Sequence, residues 1–226
     1  NYVKRCVGLP GETIGVVDGV LQINGEAITP PAGVQYEYIV TFKSQLDARR
    51  AIAGLDLTNV DLGAAKMNGD AVEVTMALTQ SEVDILGNGD LAKSVVRMDV
   101  SSRRGSLEMF PNVSSEEFDQ WDPDNLGPIQ LPHQNMTVPL NKRNLSLYRR
   151  AIVTYEGHTL EERDGNIYID GEITDSYTFG LDYYWMMGDN RHRSADSRMW
   201  GFVPQTHVVG HSSFIWFSLS FSSICS

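Results

Sequence analysis

Residues 2–26 (YVKRCVGLPGETIGVVDGVLQINGE) and 148–172 (YRRAIVTYEGHTLEERDGNIYIDGE) align without a gap at an offset of 146, with nine of 25 positions identical. The identities are Tyr2/Tyr148, Val7/Val153, Gly11/Gly157, Thr13/Thr159, Asp18/Asp164, Gly19/Gly165, Ile23/Ile169, Gly25/Gly171 and Glu26/Glu172. Asp18-Gly19 and Asn24-Gly25 supply the two positive-φ positions that a tight hairpin turn requires, and alternating apolar residues flank them. Shared hairpin grammar accounts for the last matches. The Tyr, Val, Gly and Thr matches upstream in the same register favour a degenerate internal duplication, although two copies do not make a repeat array. Both stretches are therefore expected to be a strand, a Gly-centred turn and a hairpin, with Arg150 in the place of Lys4.

Between these β-rich ends the pattern changes. EYIVTFK reads as a strand and SQLDARRAIAGL as a helix with Ser44 as N-cap. DAVEVTMALT reads as a second strand, TQSEVDIL as a short capped helix, and SVVRMDV as a third strand. FPNVSSEEFDQWDPDNLGPIQLP, rich in Pro and Asn, reads as a connection, and from about Leu131 strands and turns return. The expected architecture is mainly β: residues 1–35 and 129–226 form one discontinuous β-rich domain, and residues 36–128 form a small inserted α+β domain.

With 226 residues the chain can bury a substantial core. A net charge of −11 excludes the basic footprint of a nucleic-acid-binding domain. Cys6 and Cys225 make no disulfide framework; Cys6 is expected to be a small buried apolar residue and Cys225 to lie in a frayed end. No His/Cys cluster has metal-ligand spacing, and His133, His158, His207 and His211 are scattered. NYVKRCVGLPG has no charged and apolar leader pattern. SSFIWFSLSFSSIC, residues 212–225, is too short for a membrane helix of roughly 20 residues and reads as a strand.

GDNRHRSADSR, residues 188–198, follows the apolar run YYWMM. Turn formers explain part of it, and His192 reads as an exposed turn residue. Ser194, Asp196 and Arg198 occupy alternate positions, so in an extended segment they would line one side. Such a row can orient another charged group. Lys4 is the candidate, because a desolvated lysine can give up its proton near neutral pH whereas arginine, as at position 150, stays charged. Val3, Val7, Tyr184, Trp185, Met186 and Met187 are the expected apolar wall.

YVKRCVGLPGE followed by MGDNRHRSADSRMWGFVP resembles the paired boxes of bacterial type I signal peptidases, membrane-tethered serine proteases with a Ser/Lys dyad. The two boxes cover about 45 residues. The resemblance implies a coiled antiparallel β-sheet catalytic domain that accepts an insertion, no metal or organic cofactor, and removal of signal peptides from preproteins at the outer face of the inner membrane. It implies Lys4 as general base and Ser194 as the hydroxyl that orients it. Asp189, Asp196, Arg198 and Arg5 would form supporting ion pairs. Glu12 stands where Asp is usual, and His192-Arg193 replaces a pair more commonly acidic or amide. The family's nucleophile lies in an S-M-x-P-like box upstream of the lysine, and no Ser-Met pair occurs in the chain. The sequence therefore reads as a fragment that begins at its lysine box, without its nucleophile or N-terminal membrane helix, inactive alone and able to self-associate weakly through an exposed sheet edge. Two alternatives are a Ser/Lys self-cleaving regulator, which should carry a nucleic-acid-binding module, and a non-catalytic β-domain that binds peptides or protein partners.

Overall fold

A computed structural model describes residues 2–57, 60, 62–105 and 108–210. The chain is mainly β, with its strands in several small antiparallel sheets. Among the described residues no helix is long and apolar enough to cross a membrane. The chain divides into two compact units.

The first unit draws on Asn1–Pro30, Val100–Asp189 and Arg193–Val209. Its strands Thr13–Val17 and Val20–Ile23 form the hairpin expected at Asp18-Gly19, extended by Glu26–Ala27 on one edge and Leu126–Gln130 on the other. Leu160–Arg163, Asn166–Ile169 and Glu172–Thr174 repeat this three-stranded meander. The two copies agree in detail. Asp18 and Asp164 have φ of 49° and 50°, and Asn24 and Asp170 have φ of 54° and 51°. The Asn24 side chain accepts from Thr13 N at 2.9 Å, and the Asp170 side chain accepts from Thr159 N at 2.9 Å.

Upstream of Gly11 and Gly157 the duplication fails. Arg5–Gly8 is a strand, whereas Lys142–Arg150 is an α-helix that continues into a π-helical turn at Ala151–Tyr155. Asn141 caps the helix by accepting from Asn144 N at 2.9 Å. Leu145, Tyr148 and Ile152 then recur at helical spacing and bury one face in the core. The matches at Tyr148 and Val153 are coincidental, and the contrast of Lys4 with Arg150 has no structural counterpart.

The core gathers Ile14, Ile129, Leu131, Tyr183, Trp185 and Phe179, with Phe110, Phe118 and Trp121 packed among them. Those last three come from the supposed Pro- and Asn-rich connection. Residues 100–128 thus belong to the β-rich unit, and the unit boundary falls at Asp99/Val100, not at 128. Large aromatic side chains override the loop-like composition because burying each removes apolar surface on the order of 150–250 Å² from water.

The second unit contains Pro31–Asp99 and Asn190–His192. Its antiparallel sheet runs Lys66–Asn68, Ala71–Thr79, Gln35–Phe42, Ala92–Arg97. Strict alternation buries Val72, Val74, Met76 and Leu78 on one face, against Ala48 and Ala51 of helix Gln45–Gly54 and Leu86 of helix Gln80–Asn88. Ser44 caps the first helix, and Thr79 with Glu82 forms a reciprocal capping box on the second.

Cys6 is exposed instead of buried, because it lies on the edge strand Arg5–Gly8. Burial of its sulfur beside the strand nevertheless pushes the thiol pKa up. The strand expected at 212–225, and Cys225 within it, lie outside the described residues.

Candidate active site

Strand Tyr183–Met187 organises the site. Tyr183, Trp185 and Met187 face the core, while Tyr184 and Met186 point to the other side. Arg5–Gly8 pairs with this strand antiparallel, Arg5 opposite Met187, so Lys4 enters the sheet where Gly188 leaves it. The Lys4 amine donates to Ser194 Oγ at 2.7 Å. Among the described residues no carboxylate pairs with this amine; its other neighbour is the Tyr2 ring, 5.8 Å to the centroid.

Close packing makes this pair possible. A Cβ on Gly188 would stand 2.1 Å from Ser194 Oγ and 3.4 Å from Lys4 Nζ. The glycine is needed for space.

Residues 188–198 do not form the extended row that alternation suggested. The chain turns at residues 191–193, and Asp196 caps the short helix Ser197–Trp200. Asp196, Ser197 and Arg198 are fully buried, and Ser194 is half-buried against Lys4. Arg198 Nε and Nη2 donate to the two oxygens of Asp196 at 2.9 and 2.8 Å, and Nη1 donates to Pro123 O at 3.1 Å. Gly188 N donates to Asp196 at 3.0 Å, and Met186 N donates to Ser197 Oγ at 2.9 Å. Burial pushes the Asp196 carboxyl up, but the hydrogen bonds and charge of Arg198, with the backbone N–H groups of Gly188 and Arg198, more than offset it. The group is held below the ordinary carboxylate range. This ion pair therefore braces the turn from inside the protein and leaves the lysine to a neutral hydroxyl.

Arg5 grips Asp189 with two bonds of 2.8 Å, both partners partly exposed. This ties the first residue of one strand to the residue after Gly188. As a surface pair its stabilisation is small, about 0–1 kcal/mol, and its service is geometric.

The expected apolar wall does not form as predicted. Val3 is 93% exposed, and Trp185 and Met187 point into the core, Trp185 edge-on to Phe110 and Phe202. Tyr2, whose ring lies 5.6 Å from Trp200, takes the position beside the amine instead. His192 is 2% exposed and not a surface turn residue. Its Nδ1 accepts from Glu37 N at 3.1 Å, and its ring meets Tyr36 edge-on at 5.5 Å. Sequence reasoning missed Tyr2, Gly188 and the burial of His192. The charged and turn-forming residues around His192 concealed the last.

The fold and site are those of a β-rich domain in which a lysine just before one strand meets a serine from a braced turn. The family described as signal peptidase, peptidase S26, matches residues 1–79 and 174–217, more than half of the sequence, and the chain belongs to that family. Signal peptidase I of Haemophilus influenzae is 37% identical over 90 residues, covering 38% of this chain and 26% of that protein. Signal peptidase I of Helicobacter pylori strain 26695 is 40% identical over 115 residues, covering 49% and 37%. Signal peptidase I of Buchnera aphidicola from Acyrthosiphon pisum is 60% identical over 35 residues, covering 16% and 11%. Across the first relatives it matches, the chain spans from about a quarter to just over half of their length.

Proposed function

We propose that the chain carries the lysine half of a serine endopeptidase that removes N-terminal signal peptides from exported preproteins, with Lys4 as general base. One observation supports this above others: the Lys4 amine has a hydroxyl at 2.7 Å and no carboxylate among the described residues. A carboxylate there would favour the charged ammonium, which cannot accept a proton. The neutral amine takes the proton from a serine hydroxyl as that oxygen attacks the scissile carbonyl. It returns the proton to the leaving amine as the acyl-enzyme forms, and water then releases the signal peptide. Ser194 fixes the amine, Asp196 and Arg198 brace the turn that holds Ser194, and Arg5 with Asp189 joins the two strands.

The nucleophilic serine belongs to the upstream S-M-x-P-like box that the family resemblance implies, so residues 1–226 alone are inactive. The substrate runs as an extended strand. Arg5–Gly8 has a single strand neighbour among the described residues, and its open edge offers unpaired backbone groups for such an addition. The same edge underlies weak self-association. In this reading the catalytic domain lies on the outer face of the inner membrane, tethered by an upstream helix.

The test is proteolysis of a purified preprotein by the parent protein, with N-terminal sequencing of the product. Cleavage at the signal-peptide junction by the parent, and none by residues 1–226, is expected. Absence of cleavage by the parent, or cleavage by the 226-residue chain, contradicts the proposal.

A further inference from the structure

Between the buried side chains of Trp121 and Leu126 the chain makes a two-residue turn, Pro123-Asp124, closed by Asp122 and Asn125. Asp122 N donates to Asn125 O at 2.9 Å, and Asn125 N donates to Asp122 O at 3.1 Å. The Asp122 carboxylate is 1% exposed and folds back over this turn. Its Oδ1 accepts from Asp124 N at 2.9 Å and from Asn125 Nδ2 at 3.3 Å, and its Oδ2 accepts from Arg104 Nη2 at 3.2 Å. A carboxylate that accepts from the backbone N–H two residues on fixes a tight turn, and proline after it pre-sets φ. The turn therefore holds the Pro123 carbonyl in one direction, and that carbonyl accepts from Arg198 Nη1 at 3.1 Å.

We propose that Asp122 is a positioning residue for Ser194, acting through Arg198. The turn it closes holds Nη1 of the guanidinium, whose Nε and Nη2 hold Asp196. Asp196 in turn accepts from Gly188 N at 3.0 Å, and Gly188 packs against Ser194 too closely for a Cβ. Every group in this series lies in the first unit, as does Lys4. The proposal rests on the Ser/Lys reading for its catalytic consequence, but its structural half stands without it.

Three facts favour this role over a merely local one. Arg198 is 1% exposed, so its guanidinium cannot exchange the Pro123 carbonyl for bulk water. The donors of a guanidinium form a rigid planar fork, so a shift at Nη1 tilts the Nε and Nη2 bonds to Asp196 as well. And Asp196 Oδ2 accepts from both Arg198 Nη2 and Gly188 N, so a tilt of this carboxylate reaches the strand end beneath Ser194 and, two residues before Asp196, the turn that carries it.

The experiment compares Asp122→Ala, which has no acceptor, with Asp122→Asn, whose Oδ1 can take both bonds that close the turn. Amide hydrogen exchange of the 226-residue chain is read at Asp124, whose N–H reports the turn, and at Gly188 and Arg198, whose N–H groups report Asp196. Residues 145–148 of helix Lys142–Arg150 are the internal control. Exchange at Asp124, Gly188 and Arg198 is expected to rise in Asp122→Ala and to stay near wild type in Asp122→Asn, while 145–148 is unchanged in both. In the parent protein, kcat should fall about tenfold in Asp122→Ala with KM unchanged, the size expected for one lost hydrogen bond, and Asp122→Asn should restore it. Faster exchange at Asp124 alone in Asp122→Ala overturns the proposal, because the carboxylate would then serve only its own turn. So does an equal response of Gly188 and Arg198 in both variants, an active parent whose kcat is unchanged in Asp122→Ala, or faster exchange at 145–148, which would mark general loosening. If the parent does not cleave preproteins at all, the functional reading fails while the exchange comparison still decides the role of Asp122.

Discussion

Gly188 lies so close beneath Ser194 that a Cβ on it would stand 2.1 Å from the serine oxygen. Gly188 is not among the glycines held at positive φ, so the demand is spatial, not conformational. Gly188→Ala should push Ser194 off the Lys4 amine while leaving the surrounding core intact. Because misplacement by about 1 Å can cost on the order of a hundredfold in rate, kcat/KM for preprotein cleavage should fall by about that factor. Thermal unfolding measured alongside should show only a small shift; a variant as active as wild type would show that the hydroxyl has freedom to move.

Asp196 and Arg198 are buried together with their charges paired. Arg198→Met removes one partner and leaves a buried carboxylate, which should destabilise the chain by about 3–5 kcal/mol in urea titration. The pH dependence follows from the direction of the shift. A carboxyl held below its ordinary range in the folded state stabilises above the unfolded pKa of about 3.9, and that contribution is lost as pH falls through the lower folded value. Wild type should therefore lose stability on acidification below about pH 4, and Arg198→Met should lose less of it.

Asp170 does for Thr159 what Asn24 does for Thr13. The Thr159 N–H, then the His158 ring and the Thr159 hydroxyl, hold the Asp170 carboxyl below the ordinary range. Asp170→Asn should keep the backbone bond and the hairpin, as Asn24 shows. It should also remove the acid-sensitive part, so melting temperatures of wild type and variant should change relative to each other only below about pH 4. Asp170→Ala should lower the melting temperature throughout.

Three tyrosines should resist titration. Burial, then the Glu156 carboxylate that accepts from both hydroxyls, pushes Tyr177 and Tyr183 far above the ordinary range, and burial pushes Tyr148 up to about 12. A raised pKa stabilises the fold below the unfolded value of about 10, and this is lost as pH rises beyond it. Ultraviolet titration should show these three ionising together with alkaline unfolding and not before.

The inserted unit was legible because its alternation and caps are local signals: Val72 to Leu78 alternate, and Ser44 and Thr79 open helices where they stand. The hairpins were equally legible from Asp-Gly and Asn-Gly pairs, since only a few residues tolerate positive φ. Lys4 and Ser194, 190 residues apart, came together only through the resemblance of the two boxes, because no local periodicity links them. Helix Lys142–Arg150 carried a readable signal, Asn141 before Leu145, Tyr148 and Ile152, that the hairpin alignment obscured. Phe110 and Trp121 sit in irregular backbone, where burial is decided by long-range packing and not by a period. The same holds for His192, whose acceptor role depends on a strand 155 residues away.

The central claim is that the Lys4 amine takes a proton. The most direct measurement is cleavage of a preprotein by the parent protein carrying Lys4→Arg, which keeps the positive charge but cannot act as a base near neutral pH. Loss of a general base lowers the rate by about 10²–10⁴-fold, and a fall of at least that size, with the fold intact by circular dichroism, is the expected result. Cleavage by Lys4→Arg at a rate near wild type would contradict the account.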